Sequence, residues 1–341
     1  MLSEYILVMS DLVALNQSKF VPIIHRMIAN STEAPVVTEE NVFQTGRPAN
    51  KPYLKEIMED LLLPGSRLMG RQNLLALHEL ARRKRPCLIL MEHYSNFDIP
   101  CFYELLDRAG PEYREAADSI VSVAGVKLNE ESKLVLAFTE VFTRVVLFPA
   151  RGLEAIRDAR ERHAAEKRRA KLNIAAMKTL RNLRKEGRLI LVFPSGTRYR
   201  PWDPSTAKGL KEIDTYLKFY SHMVLISING NTLVPNPTAG GMDEDYPVKD
   251  VMVYTVGPVR RCSEFRRKAL KGRDHGEDPK EIVADAVMAA LRAQHERTEK
   301  GRVELLLQQG LPLPPASPLP PASPAPPASP LPPASPLLPS G

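Results

Sequence analysis

The sequence predicts an α/β fold: a mostly parallel sheet flanked by helices, with a helical N-terminal region and a disordered proline-rich tail. Three observations lead there. Four short apolar runs, at residues 87–91, 145–148, 189–193 and 224–228, are each bounded by polar or turn residues. Runs that are apolar throughout suit strands buried on both faces, as in a parallel sheet. Stretches with helical spacing lie between these runs, and strands alternating with helices point to crossover connections. Finally, 14 of the 31 prolines fall between Pro312 and Pro339, so the body ends near residue 310.

The elements follow in chain order. Residues 3–15 are apolar at helical spacing, and residues 53–63 form a second such stretch, stopped by Pro64 and Gly65. A third, 73–83, runs into the cluster Arg82, Arg83, Lys84, Arg85. Residues 32–52 hold three prolines among polar residues and read as a loop. The stretch 153–187 reads as one long basic helix, with 13 Lys or Arg against 5 Asp or Glu between Arg151 and Arg188. Residues 251–256 suit a further strand. Residues 279–307 suit a C-terminal helix, apolar at Ile282, Val283, Val287 and Leu291. From Leu311 a Pro-Leu-Pro-Pro-Ala-Ser pattern repeats with period 6, which favours an extended, polyproline-like chain. The expected division is a helical region at 1–67, an α/β domain at 68–309 and a low-complexity tail at 310–341.

Composition narrows the setting. The chain has 341 residues, 43% of them hydrophobic and 26% charged, which is ordinary for a globular protein. No apolar run approaches the roughly 20 residues of a membrane-spanning helix. The N-terminus lacks the basic and apolar regions of a secretory signal. Three cysteines without a CxxC pair argue against disulfides or a zinc knuckle, so a reducing cytoplasm is expected. A formal charge of +7 and a pI of about 9.2 suit an anionic partner: nucleic acid, a lipid surface or a phosphorylated small molecule.

Two strand ends carry chemistry. The run 88–91 leads into Glu92-His93-Tyr94-Ser95-Asn96-Phe97-Asp98. Ligands of open α/β sheets bind beyond the carboxyl ends of strands. His93 at such an end suits a general base, because imidazole titrates near neutrality. Asp98, in the following turn, can accept from the other ring nitrogen and stabilise the imidazolium. The run 189–193 leads into Pro194-Ser195-Gly196-Thr197-Arg198-Tyr199-Arg200-Pro201. Gly196 permits close backbone approach and exposes amides. Arg198 and Arg200 offer guanidinium groups that match phosphate oxygens. Ser195 lacks a nucleophile elbow and reads as a structural hydroxyl. No histidine other than His93 has a chemical setting.

Together the blocks His93-x4-Asp98 and Phe193-Pro-Ser-Gly-Thr-Arg198 resemble those of the glycerolipid acyltransferase family. Ser195 stands where that family usually has glutamate. In this the string Pro194 to Pro201 is similar to the soluble plastid-type glycerol-3-phosphate acyltransferases. Gly70-Arg-Gln-Asn73 looks like the family's lead-in. Looser matches are a central arginine block, Val145 to Arg151, and a fourth block running from Val224 through Pro235 to Pro237. The resemblance covers about residues 68–260.

It implies direct transfer of a fatty acyl group from an acyl thioester, on acyl carrier protein or coenzyme A, to the 1-hydroxyl of glycerol-3-phosphate, in phospholipid biosynthesis. His93 and Asp98 would be catalytic. Arg198, Arg200 and Arg151 would hold the phosphate, and amides near Gly196 would serve the oxyanion. No cofactor or metal is implied. The alternative acceptor is 1-acylglycerol-3-phosphate, giving phosphatidic acid. The basic helix would meet the acidic carrier or an anionic membrane, which extends the expected setting to the inner face of the cytoplasmic membrane. The rivals are a basic nucleic-acid-binding protein and an inactive, proline-tailed adaptor. The nucleic-acid reading gives no reason for a histidine, a carboxylate and two arginines to gather at strand ends, and nucleic acid is not expected as a partner; loss of turnover in His93→Ala separates an enzyme from the inactive adaptor.

Overall fold

In the computed structural model, residues 12–32, 36–130, 132–150, 153, 156–239, 241–274 and 276–311 are described. The helices are α1 (Val21–Asn30), α2 (Lys51–Leu61), α3 (Gln72–Arg82), α4 (Asp98–Ala109), α5 (Pro111–Asp118), α6 (Lys127–Glu130), α7 (Lys133–Thr139), α8 (Ala159–Glu186), α9 (Glu212–Phe219), α10 (Cys262–Ala269) and α11 (Pro279–Gln308). The strands are β1 (Phe43–Gln44), β2 (Arg67–Met69), β3 (Cys87–Met91), β4 (Ile120–Gly125), β5 (Arg144–Leu147), β6 (Leu189–Val192), β7 (His222–Asn229), β8 (Leu233–Val234), β9 (Tyr246–Pro247), β10 (Val253–Val256) and β11 (Arg260–Arg261).

Nine strands form one sheet in the order β1-β5-β4-β6-β3-β7-β10-β2, with β11 also on β7. The five central strands, β5-β4-β6-β3-β7, are mutually parallel. β1, β10 and β11 run antiparallel to their neighbours β5 and β7. Every residue of β3 and β6 is buried. Alternation decides which core each one enters. Ile89 and Met91 join the core that holds α1, α2 and α4, whereas Leu88 and Leu90 join the core under α8, α9 and α11. Each such fully buried side chain contributes about 1.5–3 kcal/mol relative to exposure.

The strand at 87–91 lies where the sequence places it. The others differ by one or two residues at their ends. Residues 120–125, read as part of the helical intervals, form β4 and insert between β5 and β6. The region before residue 85 also contains two short strands. One of them, β2, spans the expected boundary at 67/68 and pairs with β10. The helices of that region are not separate: Ile24, Met27, Leu54 and Ile57 pack in the same core as Ile89 and Phe102.

The long basic helix is α8. Asp158 caps its start by accepting from the amides of Arg160 and Glu161, and Gly187, at φ +86°, ends it. Pro52 sits in the first turn of α2, where its missing N–H costs nothing. Most of the helix expected at 3–15, Arg151 and the proline-rich segment from residue 312 lie outside the described residues. No helix among the described residues is long and apolar enough to cross a membrane.

Candidate active site

Parallel pairing of β3 with β6, with Leu90 opposite Val192, delivers both sequence blocks to the same edge of the sheet. After β3 the chain turns through residues 93–97 and enters α4 at Asp98. The carboxylate of Asp98 organises this turn. Its Oδ2 accepts from the Tyr94 amide at 2.6 Å and the Ser95 amide at 3.0 Å. Its Oδ1 accepts from the Ser95 hydroxyl at 3.1 Å. The same Oδ2 lies 2.8 Å from His93 Nδ1. Asp98 is only 1% exposed, and these donors together with the helix N-terminus offset the cost of burying it. The Tyr254 hydroxyl donates to the Asp98 carbonyl at 2.8 Å and fixes the turn from below.

With Nδ1–H donated to Asp98, His93 presents Nε2 as a basic nitrogen. No described residue hydrogen-bonds to it. The His93 ring stacks on Phe193, with centroids 3.9 Å apart and planes 14° apart. The Tyr199 amide donates to the His93 carbonyl at 2.8 Å. The first block is thus fastened to the second through Phe193 and Tyr199, and Arg198 and Arg200 flank Tyr199.

The second block is a tight turn. Gly196 has φ +64°, and a Cβ there would run into Leu210 Cδ1. Its own amide donates to the Phe193 carbonyl at 2.9 Å. That amide therefore closes the turn and is not available to an oxyanion, so the expected oxyanion role does not fall to Gly196 N–H. The Ser195 hydroxyl donates to the Thr197 carbonyl at 2.7 Å, the structural use expected of it.

The two arginines differ. Arg198 is 8% exposed, and one of its amino groups is ion-paired with Asp245. Asp245 also accepts from the Asn236 amide at 3.1 Å, which ties the arginine block to the segment 234–237. Burial raises the Asp245 carboxyl above its ordinary range; the charges of Arg198 and Arg200 and the Asn236 amide oppose this. Arg200 uses only its backbone: its amide donates to Thr206 Oγ1 at 2.9 Å, and its guanidinium has no acceptor among the described residues. Sequence reasoning treats the pair as equivalent, but one guanidinium is pinned and the other is free. The central arginine block leads out of β5, separated from β3 by β4 and β6, and its Arg151 lies outside the described residues.

Sequence reasoning also passes over a second buried cluster beside His93. Glu92 Oε2 accepts from the Ile228 amide at 2.8 Å and lies 2.9 Å from His295 Nδ1. The Tyr94 hydroxyl lies 3.3 Å from the same nitrogen. Burial pushes the Tyr94 phenol well above its ordinary range, and Glu92 adds to the effect. His295 comes from α11, 203 residues from Glu92, and no local pattern announces the pairing.

No curated protein matches the chain. Residues 75–235, which carry both blocks and the strands that present them, match the family model described as Acyltransferase.

Proposed function

We propose that this protein transfers a fatty acyl group from an acyl thioester to the 1-hydroxyl of glycerol-3-phosphate. The observation that carries the reading is the His93–Asp98 dyad, stacked on Phe193 of the arginine block at the carboxyl edge of the sheet. His93 Nε2 takes the proton of the acceptor hydroxyl, and Asp98 holds the ring and stabilises the imidazolium. The alkoxide oxygen bonds to the thioester carbonyl carbon. The tetrahedral intermediate then collapses, the C–S bond breaks, and the imidazolium returns its proton to the departing sulfur. No acyl-enzyme forms.

Arg200, with its unpaired guanidinium, is the foremost phosphate ligand. The remaining nitrogens of Arg198 face the same task, while Asp245 fixes its orientation. Arg151 is proposed as a third phosphate ligand on the sequence resemblance alone. The donor is acyl carrier protein or acyl-coenzyme A, and the basic face of α8 suits either the acidic carrier or an anionic lipid surface.

The second reading makes 1-acylglycerol-3-phosphate the acceptor, since the match to the Acyltransferase family fits either hydroxyl. The test offers the purified protein both acceptors with each donor and identifies the products. Acylation of glycerol-3-phosphate is expected. Turnover of 1-acylglycerol-3-phosphate alone moves the assignment to the second reading, and turnover of neither removes it.

A further inference from the structure

Glu92 precedes the candidate base in the chain and is itself buried, at 8% exposure. A buried carboxylate needs a counter-charge or must take up a proton. Among the described residues no lysine or arginine pairs with it; the ion-pair partner is His295, 0% exposed. Glu92 Oε2 accepts from the Ile228 amide at 2.8 Å, and His295 Nδ1 lies 2.9 Å from the same oxygen, placed to donate to it when that nitrogen is protonated.

We infer that His295 is a positioning residue held as an imidazolium, cancelling the charge of Glu92 so that Asp98 is the one uncompensated carboxylate against His93. This rests on the reading of His93 as general base. A second negative charge next to His93 would hold its proton more tightly and make it a poorer base at neutral pH.

The surroundings of His295 support the charge. Glu92 and Tyr94 face it from the segment that follows β3, and Glu299 and Arg302 from its own helix. Arg302 is already matched by Asp250 and Glu299. Burial alone would lower the His295 imidazole, but the two glutamates outweigh it and the net direction is upward. His93 itself contacts Asp98 on its own segment, and Phe193 and the Tyr199 amide from the second block. None of these groups changes in the H295Q, E92Q or double variants.

The test is the pH profile of kcat/KM for acylation of glycerol-3-phosphate in wild type, H295Q, E92Q and the double variant. The acid limb reports the free-enzyme base. H295Q leaves Glu92 uncompensated and moves that limb up by about one pH unit. E92Q does not raise it, because the carboxylate that would act on His93 is gone. The double variant returns to the wild-type limb. An unmoved limb in H295Q, or an equal shift in E92Q, overturns the inference.

Should H295Q not fold, nitrogen NMR of histidine-labelled wild type decides: His295 is expected to be an imidazolium at about pH 7, and a neutral ring overturns the inference. H93A is assayed alongside. Full turnover in H93A overturns the base assignment and this inference with it. An inert H93A with an unmoved H295Q limb overturns the inference alone.

Discussion

Asp98→Asn isolates charge from geometry. The asparagine carbonyl oxygen can occupy the Oδ2 position and still accept from His93, Tyr94 and Ser95. Its amide nitrogen then faces the Ser95 hydroxyl, which can accept. What disappears is the countercharge to the imidazolium. With charge centres about 4 Å apart and an effective dielectric of about 20, that charge is worth about 4 kcal/mol. A loss confined to the transition state slows turnover about a thousandfold. The assay is kcat from thiol release by the acyl donor, with the melting temperature measured in parallel. Asp98→Ala provides the contrast, since it strands the buried donors of Tyr94 and Ser95 at about 1–3 kcal/mol each and lowers the melting temperature clearly. A kcat for Asp98→Asn within tenfold of wild type refutes the electrostatic role.

Three other outcomes follow from the same contacts. Arg302→Ala leaves Asp250 unpaired in a site where the two are 1% and 2% exposed; denaturant melts should show a loss of about 3–5 kcal/mol. Gly196→Ala forces a side chain into φ +64° and against Leu210; turnover should fall at least tenfold, with about 1–3 kcal/mol lost in stability. The raised imidazole of His295 contributes stability that is complete below its ordinary value of 6.5 and is lost as pH climbs through the folded value. The melting-temperature gap between wild type and H295Q should therefore be widest below pH 6.5 and narrow above it.

Legibility in the sequence tracks how locally each feature is determined. β3 and β6 are readable because both faces are buried, which demands unbroken apolar runs. β4 reads Ile-Val-Ser-Val-Ala-Gly, and its serine and small residues hide it among helical intervals. β2 exists because β10 offers it a partner far along the chain, so its three residues carry no signal of their own. The dyad is legible because four intervening residues fold back on one carboxylate. The unequal fates of Arg198 and Arg200 depend on Asp245, and the counter-ion of Glu92 depends on a helix near the far end. Both are properties of the assembled fold.

The helix α11 has a practical consequence for anyone dissecting this chain. The segment that matches the Acyltransferase family model stops at residue 235, yet three of its buried polar groups are satisfied from beyond residue 290: Glu92 by His295, Asn229 by the His295 carbonyl and Glu299, and the Leu225 carbonyl by Gln294. Excising that segment would expose an apolar sheet face and orphan those groups at once. An autonomous piece must therefore extend into α11 at least as far as Glu299.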